Sequence, residues 1–161
     1  MPARTPALFA AISLAVVGIC DTPDVTHSLA GANVRCLAQD ASGAVWLGLD
    51  EGMAVIRPGA TEPTGLDLEP LSATGVNAIL PAETSLWLGT DTGLFRYADG
   101  AVARIEMIGA EATLPDADRI ERLTANEAVR CLCLHRGKLW LGTDGAIMAY
   151  DPAEAQWTVF G

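Results

Sequence analysis

Apolar residues in this chain come in short runs, each closed by a turn signal instead of continuing into a helical repeat. Val34 to Ala38 leads into Asp40-Ala41-Ser42-Gly43, Ala44 to Leu49 leads into Asp50-Glu51-Gly52, and Met53 to Arg57 completes the group. The same order returns as Val76–Leu80, Ser85–Thr90 and Leu94–Tyr97, and again as Val129–His135, Lys138–Thr143 and Ile147–Tyr150. Runs of this length bounded by Gly and Asp predict β-strands joined by tight hairpins, because these residues supply positive φ and side-chain-to-backbone bonds. The middle runs are apolar on both faces: Val45, Trp46 and Leu47 are consecutive, as are Leu86, Trp87 and Leu88. A sheet with one wet face would alternate, so these strands belong to sheets covered on both sides.

The groups are copies of one unit. Trp46-Leu47-Gly48, Trp87-Leu88-Gly89 and Trp140-Leu141-Gly142 recur at steps of 41 and 53 residues. Upstream of each lie Val34-Arg35-Cys36-Leu37, Val76-Asn77-Ala78-Ile79 and Val129-Arg130-Cys131-Leu132; downstream lie Asp50, Asp91 and Asp144. Outer strands are expected at Leu66–Leu71, at Ala103–Ile108 or Ile120–Leu123, and at Gln156–Phe160, with an orphan outer strand at Val25–Leu29 ahead of the first unit. Sheets of four short strands, buried on both faces and repeated at this period, are the blades of a β-propeller. The expected fold is therefore all-β, a partial propeller of three blades of antiparallel strands at about 34–71, 76–108 and 129–160. Residues 109–128 are read as an inserted polar loop with a short helix at Asp116–Leu123. Closed propellers have four to eight blades, so three leave the array open, and Gly161 falls where another blade would begin.

The unit resembles the two-component regulator propeller repeat, V-x-x-L-x-x-D-x-x-G-x-x-W-L-G-T-D-x-G-L-x-x-Y. Asp40, Gly43, Trp46, Gly48 and Gly52 match in the first unit, and Trp87, Gly89, Thr90, Gly93, Leu94 and Tyr97 match in the second. Trp140, Gly142, Thr143 and Tyr150 match in the third. The first unit departs at Leu49, the second lacks the Asp-x-x-Gly turn, and the third has Ala146 at a glycine position. The resemblance covers roughly residues 25–161 and implies an extracytoplasmic sensory module of a signalling protein. It specifies fold strongly and ligand hardly at all.

Export is expected on separate grounds. Arg4 precedes an unbroken stretch of 13 mostly apolar residues from Ala7 to Ile19, and the polar stretch Cys20-Asp21-Thr22-Pro23-Asp24 follows. That is too short to span a bilayer but suits the apolar region of a signal, so residues 1–20 are read as a leader and 21–161 as the propeller arc. Val17-Gly18-Ile19-Cys20 is close to a lipoprotein box, which makes Cys20 a lipidation candidate, although Ile19 stands where Gly, Ala or Ser is preferred. Cleavage after Ser28-Leu29-Ala30 is the other route, so a periplasmic, lipid-anchored or secreted product stays open.

The 161 residues are 50% apolar, with 20 acidic and 10 basic side chains and a single lysine, Lys138. No basic stripe exists to hold phosphates, which argues against nucleic acid. The acidity is read as a soluble, self-repelling surface. Trp46, Trp87 and Trp140 are read as structural core between blades, although an indole face also suits sugar stacking. Cys131, Cys133 and His135 alternate along one strand, but Cys36 sits at the position equivalent to Cys131. That repetition points to packing and not to a metal site. A disulfide is open to an exported protein. No nucleophile–base set, phosphate loop or cofactor motif is present, so neither catalysis nor a cofactor is expected. Asp50, Asp91 and Asp144 follow a glycine at turns, and their carboxylates are expected to bond local backbone.

The expected function is recognition of an extracellular ligand or of a partner surface. Loops at one rim would carry it, because a rigid scaffold positions variable loops. The candidates are Asp50, Glu51, Asp91, Thr92 and Asp144 at one rim, or the turn Asp40–Gly43 at the other. Expected partners are an extracellular ligand, a signalling protein supplying further blades, or a second copy. A fragment of a propeller enzyme, either a lyase or a quinoprotein echoed faintly by Ala38-x-Asp40-x-x-Gly43-x-x-Trp46, is the alternative. A truncated remnant without independent activity is another.

Overall fold

A computed structural model describes Leu29 and residues 31–106 and 127–160 of the chain. The first four strands are Val34–Gln39 (β1), Val45–Leu49 (β2), Met53–Ile56 (β3) and Thr64–Leu66 (β4). The next four are Val76–Pro81 (β5), Leu86–Thr90 (β6), Gly93–Ala98 (β7) and Ala101–Ile105 (β8). The last four are Val129–His135 (β9), Lys138–Thr143 (β10), Ile147–Asp151 (β11) and Gln156–Phe160 (β12). Each group of four forms one antiparallel meander, so three four-stranded blades follow one another in chain order. The blades stack through their first two strands: β5 packs on β1 and β2, and β9 packs on β5 and β6.

The hairpins form where the sequence marks them. Gly43 takes φ +87°, and the Asp40 carboxylate accepts from the backbone N–H groups of Ser42 at 2.8 Å and Ala44 at 3.1 Å. Asp99 and Gly100, both at positive φ, make the two-residue loop between β7 and β8, the conformation that matches the twist of the flanking strands. The threonine of the W-L-G-T segment also has a local task. The Thr90 hydroxyl donates to the Gly93 carbonyl at 2.9 Å and accepts from the Thr92 N–H, closing the β6–β7 turn around a fully buried side chain. Thr143 does the same at the β10–β11 turn with Ala146.

The outer strand of the first blade lies earlier than expected. It is Thr64–Leu66, and the remainder of the expected Leu66–Leu71 run leads into a 3-10 turn at Leu71–Ala73. Leu71 is fully buried there, between the blades, so burial of a connecting residue was misread as a strand position. The second outer strand is Ala101–Ile105, starting two residues before the expected Ala103, and the alternative at Ile120–Leu123 lies outside the described residues. The orphan strand before Leu29, the inserted loop, the short helix and the leader lie outside the described residues.

Two inter-blade cores hold the stack. Met53, Leu71, Val76, Ile79, Leu86, Leu88 and Phe95 fill the space between the first and second blades. Trp87, Leu94, Val129, Leu139, Leu141, Met148 and Val159 fill that between the second and third. Every residue of β6 is buried, as expected of a strand covered on both faces. Fully burying a side chain such as Leu88 or Leu94 stabilises the fold by about 1.5–3 kcal/mol.

The glycine of each W-L-G segment sets how closely blades approach. A Cβ on Gly48 would lie 2.6 Å from the Val76 carbonyl oxygen, and one on Gly89 would lie 2.7 Å from Val129 Cγ1. Val76 and Val129, the first residues of β5 and β9, are both 0% exposed under these glycines. Glycine is required here for space, since neither position has a positive φ that calls for it.

Candidate functional site

The two ends of the blade stack differ in chemistry. At the end carrying the β2–β3, β6–β7 and β10–β11 turns, Asp50, Asp91 and Asp144 project toward the first strands of the blades. Arg35 Nε donates to Asp50 at 2.5 Å while its Nη1 crosses to the second blade, reaching Asp91 at 2.7 Å and Asn77 at 2.8 Å. Arg130 makes a two-pronged contact with Asp144, at 2.9 Å from both Nε and Nη2, and reaches back to Asp91 at 3.4 Å. Asn33 adds a bond to Asp50 at 2.6 Å, and Asn77 donates to Asp91 at 3.0 Å and to the Val129 carbonyl at 3.2 Å. The result is one ladder of charge running across all three blades.

This arrangement corrects the expectation that the three carboxylates bond local backbone. They face Arg and Asn on the first strand of each blade, because the antiparallel β1–β2 pairing brings Val34 opposite Leu49, at the threshold of the turn. The equivalent residues Arg35, Asn77 and Arg130 were passed over in the sequence. Their signal was the polar second position shared by Val34-Arg35-Cys36-Leu37, Val76-Asn77-Ala78-Ile79 and Val129-Arg130-Cys131-Leu132. Of the other rim candidates, Glu51 is exposed, and the Thr92 hydroxyl lies 3.3 Å from that of Thr74 in the connection between blades.

The ladder depresses its carboxylates. Bonding to Arg35 and then Asn33 holds Asp50 below the ordinary carboxylate value, Asn77 and then Arg35 do so for Asp91, and Arg130 does so for Asp144. A carboxylate depressed on folding contributes stability that is complete above its ordinary pKa and is lost as pH falls through its folded value. Stability is therefore expected to drop below about pH 4. Arg35→Gln, which removes the charged donor from both Asp50 and Asp91, should make that acid limb shallower when urea midpoints are followed from neutral to acid pH. An unchanged slope would mean that Arg35 does not set these values.

The opposite end carries a cleft. Between the first and second blades two adjoining hollows of about 190 and 320 Å³ share Asp40, Ser42, Trp46 and Tyr97 as walls. The Trp46 and Tyr97 rings, one from each blade, meet with centroids 5.5 Å apart at 60°. The Trp46 indole N–H donates to Asp40 at 2.8 Å, so the turn carboxylate fixes the ring orientation. Asp40 also accepts from the Ser42 hydroxyl at 2.6 Å, and bonding to Ser42 and then Trp46 holds its carboxyl below the usual range. Glu83 and Asp99 flank one side of the cleft, and Arg57 flanks the other.

The repeat is not equal at its other Trp positions. Trp87 is buried, packs edge-on against Tyr150 at 5.9 Å, and lies under the Arg96 guanidinium at 5.5 Å. Its blade lacks the Asp-x-x-Gly turn, so no equivalent of Asp40 holds it. Trp140 stacks on Phe160 of its own blade at 5.2 Å, and its indole N–H is buried with no partner among the described residues. Core packing therefore describes Trp87 best, whereas Trp46 is half-buried and lines a cleft.

Cysteine packing holds at one of the two equivalent positions. Cys36 is half-buried against the next blade, its thiol 3.5 Å from the Val76 carbonyl, and burial pushes its pKa up. Cys131 is exposed, as is Cys133, because the face of β9 that carries them meets no further blade among the described residues. Cys36, Cys131 and Cys133 are all free thiols. Among the described residues no group of three or more His, Cys, Asp or Glu side chains is placed to hold a metal ion, and no helix is long and apolar enough to cross a membrane. Cys20 lies outside the described residues.

No protein-family model and no curated protein sequence matches the chain. Solved structures do. Two crystal structures of the extracellular domain of BT4673 from B. thetaiotaomicron, described as a one-component and as a hybrid two-component system, superpose with TM-scores of 0.58 and 0.57 at 23% and 21% identity. They cover 82% and 80% of this chain and 16% of their own. The extracellular domain of the hybrid two-component system BT3049 from the same organism superposes with a TM-score of 0.59 at 20% identity, over 81% of this chain and 17% of its own. In fold, then, the chain is a run of three four-stranded antiparallel blades similar to part of these extracellular domains, spanning about one sixth of their length.

Proposed function

We propose that the chain is an extracytoplasmic sensory or interaction module, a binding protein and not an enzyme, that takes its ligand in the cleft between the first two blades. The observation that carries this reading is the Trp46–Tyr97 pair set against the polar wall of Asp40 and Ser42. Aromatic rings beside a few fixed hydrogen-bonding groups match ligands with one apolar face and a polar rim, such as a sugar ring. The likeness to extracellular domains of signalling systems supports the sensory role and a place outside the cytoplasm. The leader read in residues 1–20 points the same way, with Cys20 as the anchor or with release after cleavage.

The cleft is favoured over the opposite rim because the carboxylates there are already engaged. Asp50, Asp91 and Asp144 are each bonded to an arginine, and a ligand would have to displace those bonds. The test is titration of the purified protein with a panel of neutral oligosaccharides, followed by tryptophan fluorescence. Trp46→Ala is expected to weaken the response about tenfold, the worth of one stacked ring. Trp140→Phe, far from the cleft, should leave it unchanged. Equal affinity in Trp46→Ala, or silence across the whole panel, would remove the cleft as the ligand site.

A further inference from the structure

The cleft between the first two blades carries a charge that its rings do not account for. Its smaller hollow, of about 190 Å³, has Asp40, Glu83 and Asp99 among its walls and no Lys, Arg or His. These carboxylates come from both blades: Asp40 from the β1–β2 turn, Glu83 from the β5–β6 turn and Asp99 from the β7–β8 turn. Arg57 lines only the adjoining hollow. Arg96 bonds the Ser85 hydroxyl at 3.1 Å, but its guanidinium lies over Trp87, a ring of the core shared with the third blade.

At the opposite rim the acids are paired. Asp50, Asp91 and Asp144 each meet an arginine, whereas no ion pair among the described residues includes Asp40, Glu83 or Asp99. The Asp40 Oδ1 takes the donors of its own turn, and its Oδ2 accepts from the Trp46 indole at 2.8 Å. Ser42 and then Trp46 hold this carboxyl below the usual range, so it stays ionised beside the rings. Glu83 and Asp99 are exposed at the mouth of the hollow. Negative charge of this kind in a cleft focuses the local field and attracts cations. The faces of Trp46 and Tyr97 prefer the same sign, because an aromatic face is the negative part of its quadrupole.

Given the cleft as the ligand site, on which this step rests, we infer that its ligand is a saccharide bearing a free amine, with the sugar ring on Trp46 and Tyr97 and the ammonium among Asp40, Glu83 and Asp99. A sugar is favoured over a bare hydrocarbon amine on two grounds. The two rings meet at 60°, an open corner and not a cage closed around an ammonium group. The hydroxyl side chains of Ser42 and Thr84 also line the hollow, and a hydrocarbon chain would leave them without a partner. The ammonium points toward Glu83 and Asp99, since Arg57 repels it from the adjoining hollow.

Calorimetric titration with two tetrasaccharides of the same linkage tests this, one of glucosamine and one of glucose, which differ only in whether each ring carries an amine or a hydroxyl. In mildly acidic buffer of low ionic strength the glucosamine tetramer is expected to bind about tenfold more tightly, the combined effect of a few solvated charge contacts. The glucose tetramer binds more weakly, on the rings alone, and added salt should shrink the difference. Glu83→Gln together with Asp99→Asn should bring the glucosamine tetramer down to the affinity of the glucose tetramer. Both positions are exposed, and circular dichroism should show the double variant as folded as the parent. Glucose binding as tightly as glucosamine, with both weakened by Trp46→Ala, would overturn the cation and leave the cleft standing. Glucosamine binding undiminished by Trp46→Ala would remove the cleft itself. A linear diamine binding as tightly as the glucosamine tetramer would overturn the sugar.

Discussion

Trp87→Ala is expected to lower the unfolding free energy by about 3–5 kcal/mol, the usual cost of deleting a buried aromatic side chain. Trp87 belongs to the core between the second and third blades, with Leu94, Val129, Leu139 and Leu141. Its removal would leave a cavity bounded by two sheets that cannot collapse without sliding past each other. It would also strip Tyr150 and Arg96 of the ring they pack on. Asp91→Ala is the appropriate comparison. It removes bonds to Arg35, Asn77 and Arg130, yet all of these are at or near the surface, where an ion pair contributes about 0.2–1 kcal/mol. Arg35 and Arg130 each keep an aspartate of their own blade. Urea midpoints of the two variants separate the cases. A midpoint for Trp87→Ala no lower than that of Asp91→Ala would mean that the ring is solvated and the core assignment wrong.

Gly48→Ala is expected to destabilise the protein by about 1–3 kcal/mol, although it adds a single methyl group. That carbon would sit 2.5 Å from Cys36 Sγ and 2.6 Å from the Val76 carbonyl oxygen. The thiol can rotate away, but the carbonyl belongs to the first residue of β5 and moves only if the second blade moves. Among the described residues a Cβ on Gly142 meets only the flexible end of Cys131, so Gly142→Ala should cost clearly less. Thermal unfolding of the two variants side by side distinguishes a demand of blade packing from a demand of strand conformation. Equal losses would place the constraint within the blade and not between blades.

The architecture was legible in the sequence because the repeat states it three times. Val129–His135, Lys138–Thr143 and Gln156–Phe160 form strands at the bounds expected, and most other strands differ by a residue or two at an end. Period, turn residues and runs apolar on both faces are local properties, so they survive reading one residue at a time. The first outer strand was misplaced for the converse reason. Leu66, Leu68 and Leu71 look alike in the sequence, and only the meeting of two blades makes Leu66 a strand residue and Leu71 a buried turn.

What lies between blades needed the tertiary structure. The aspartates at the turns were visible, but the arginines that bind them are 15 and 56 residues away in the case of Arg35, and no local rule joins those positions. Trp46, Trp87 and Trp140 share one motif and were read as one kind of residue. They became a cleft wall, a core side chain and a ring stacked on its own blade according to which neighbour stands opposite. The sequence by itself determined the blade, because a blade is held by hydrogen bonds and turns between adjacent strands. The structure decided the cleft and the charge ladder, because those depend on distances between residues some forty or more positions apart, which only stacking brings together.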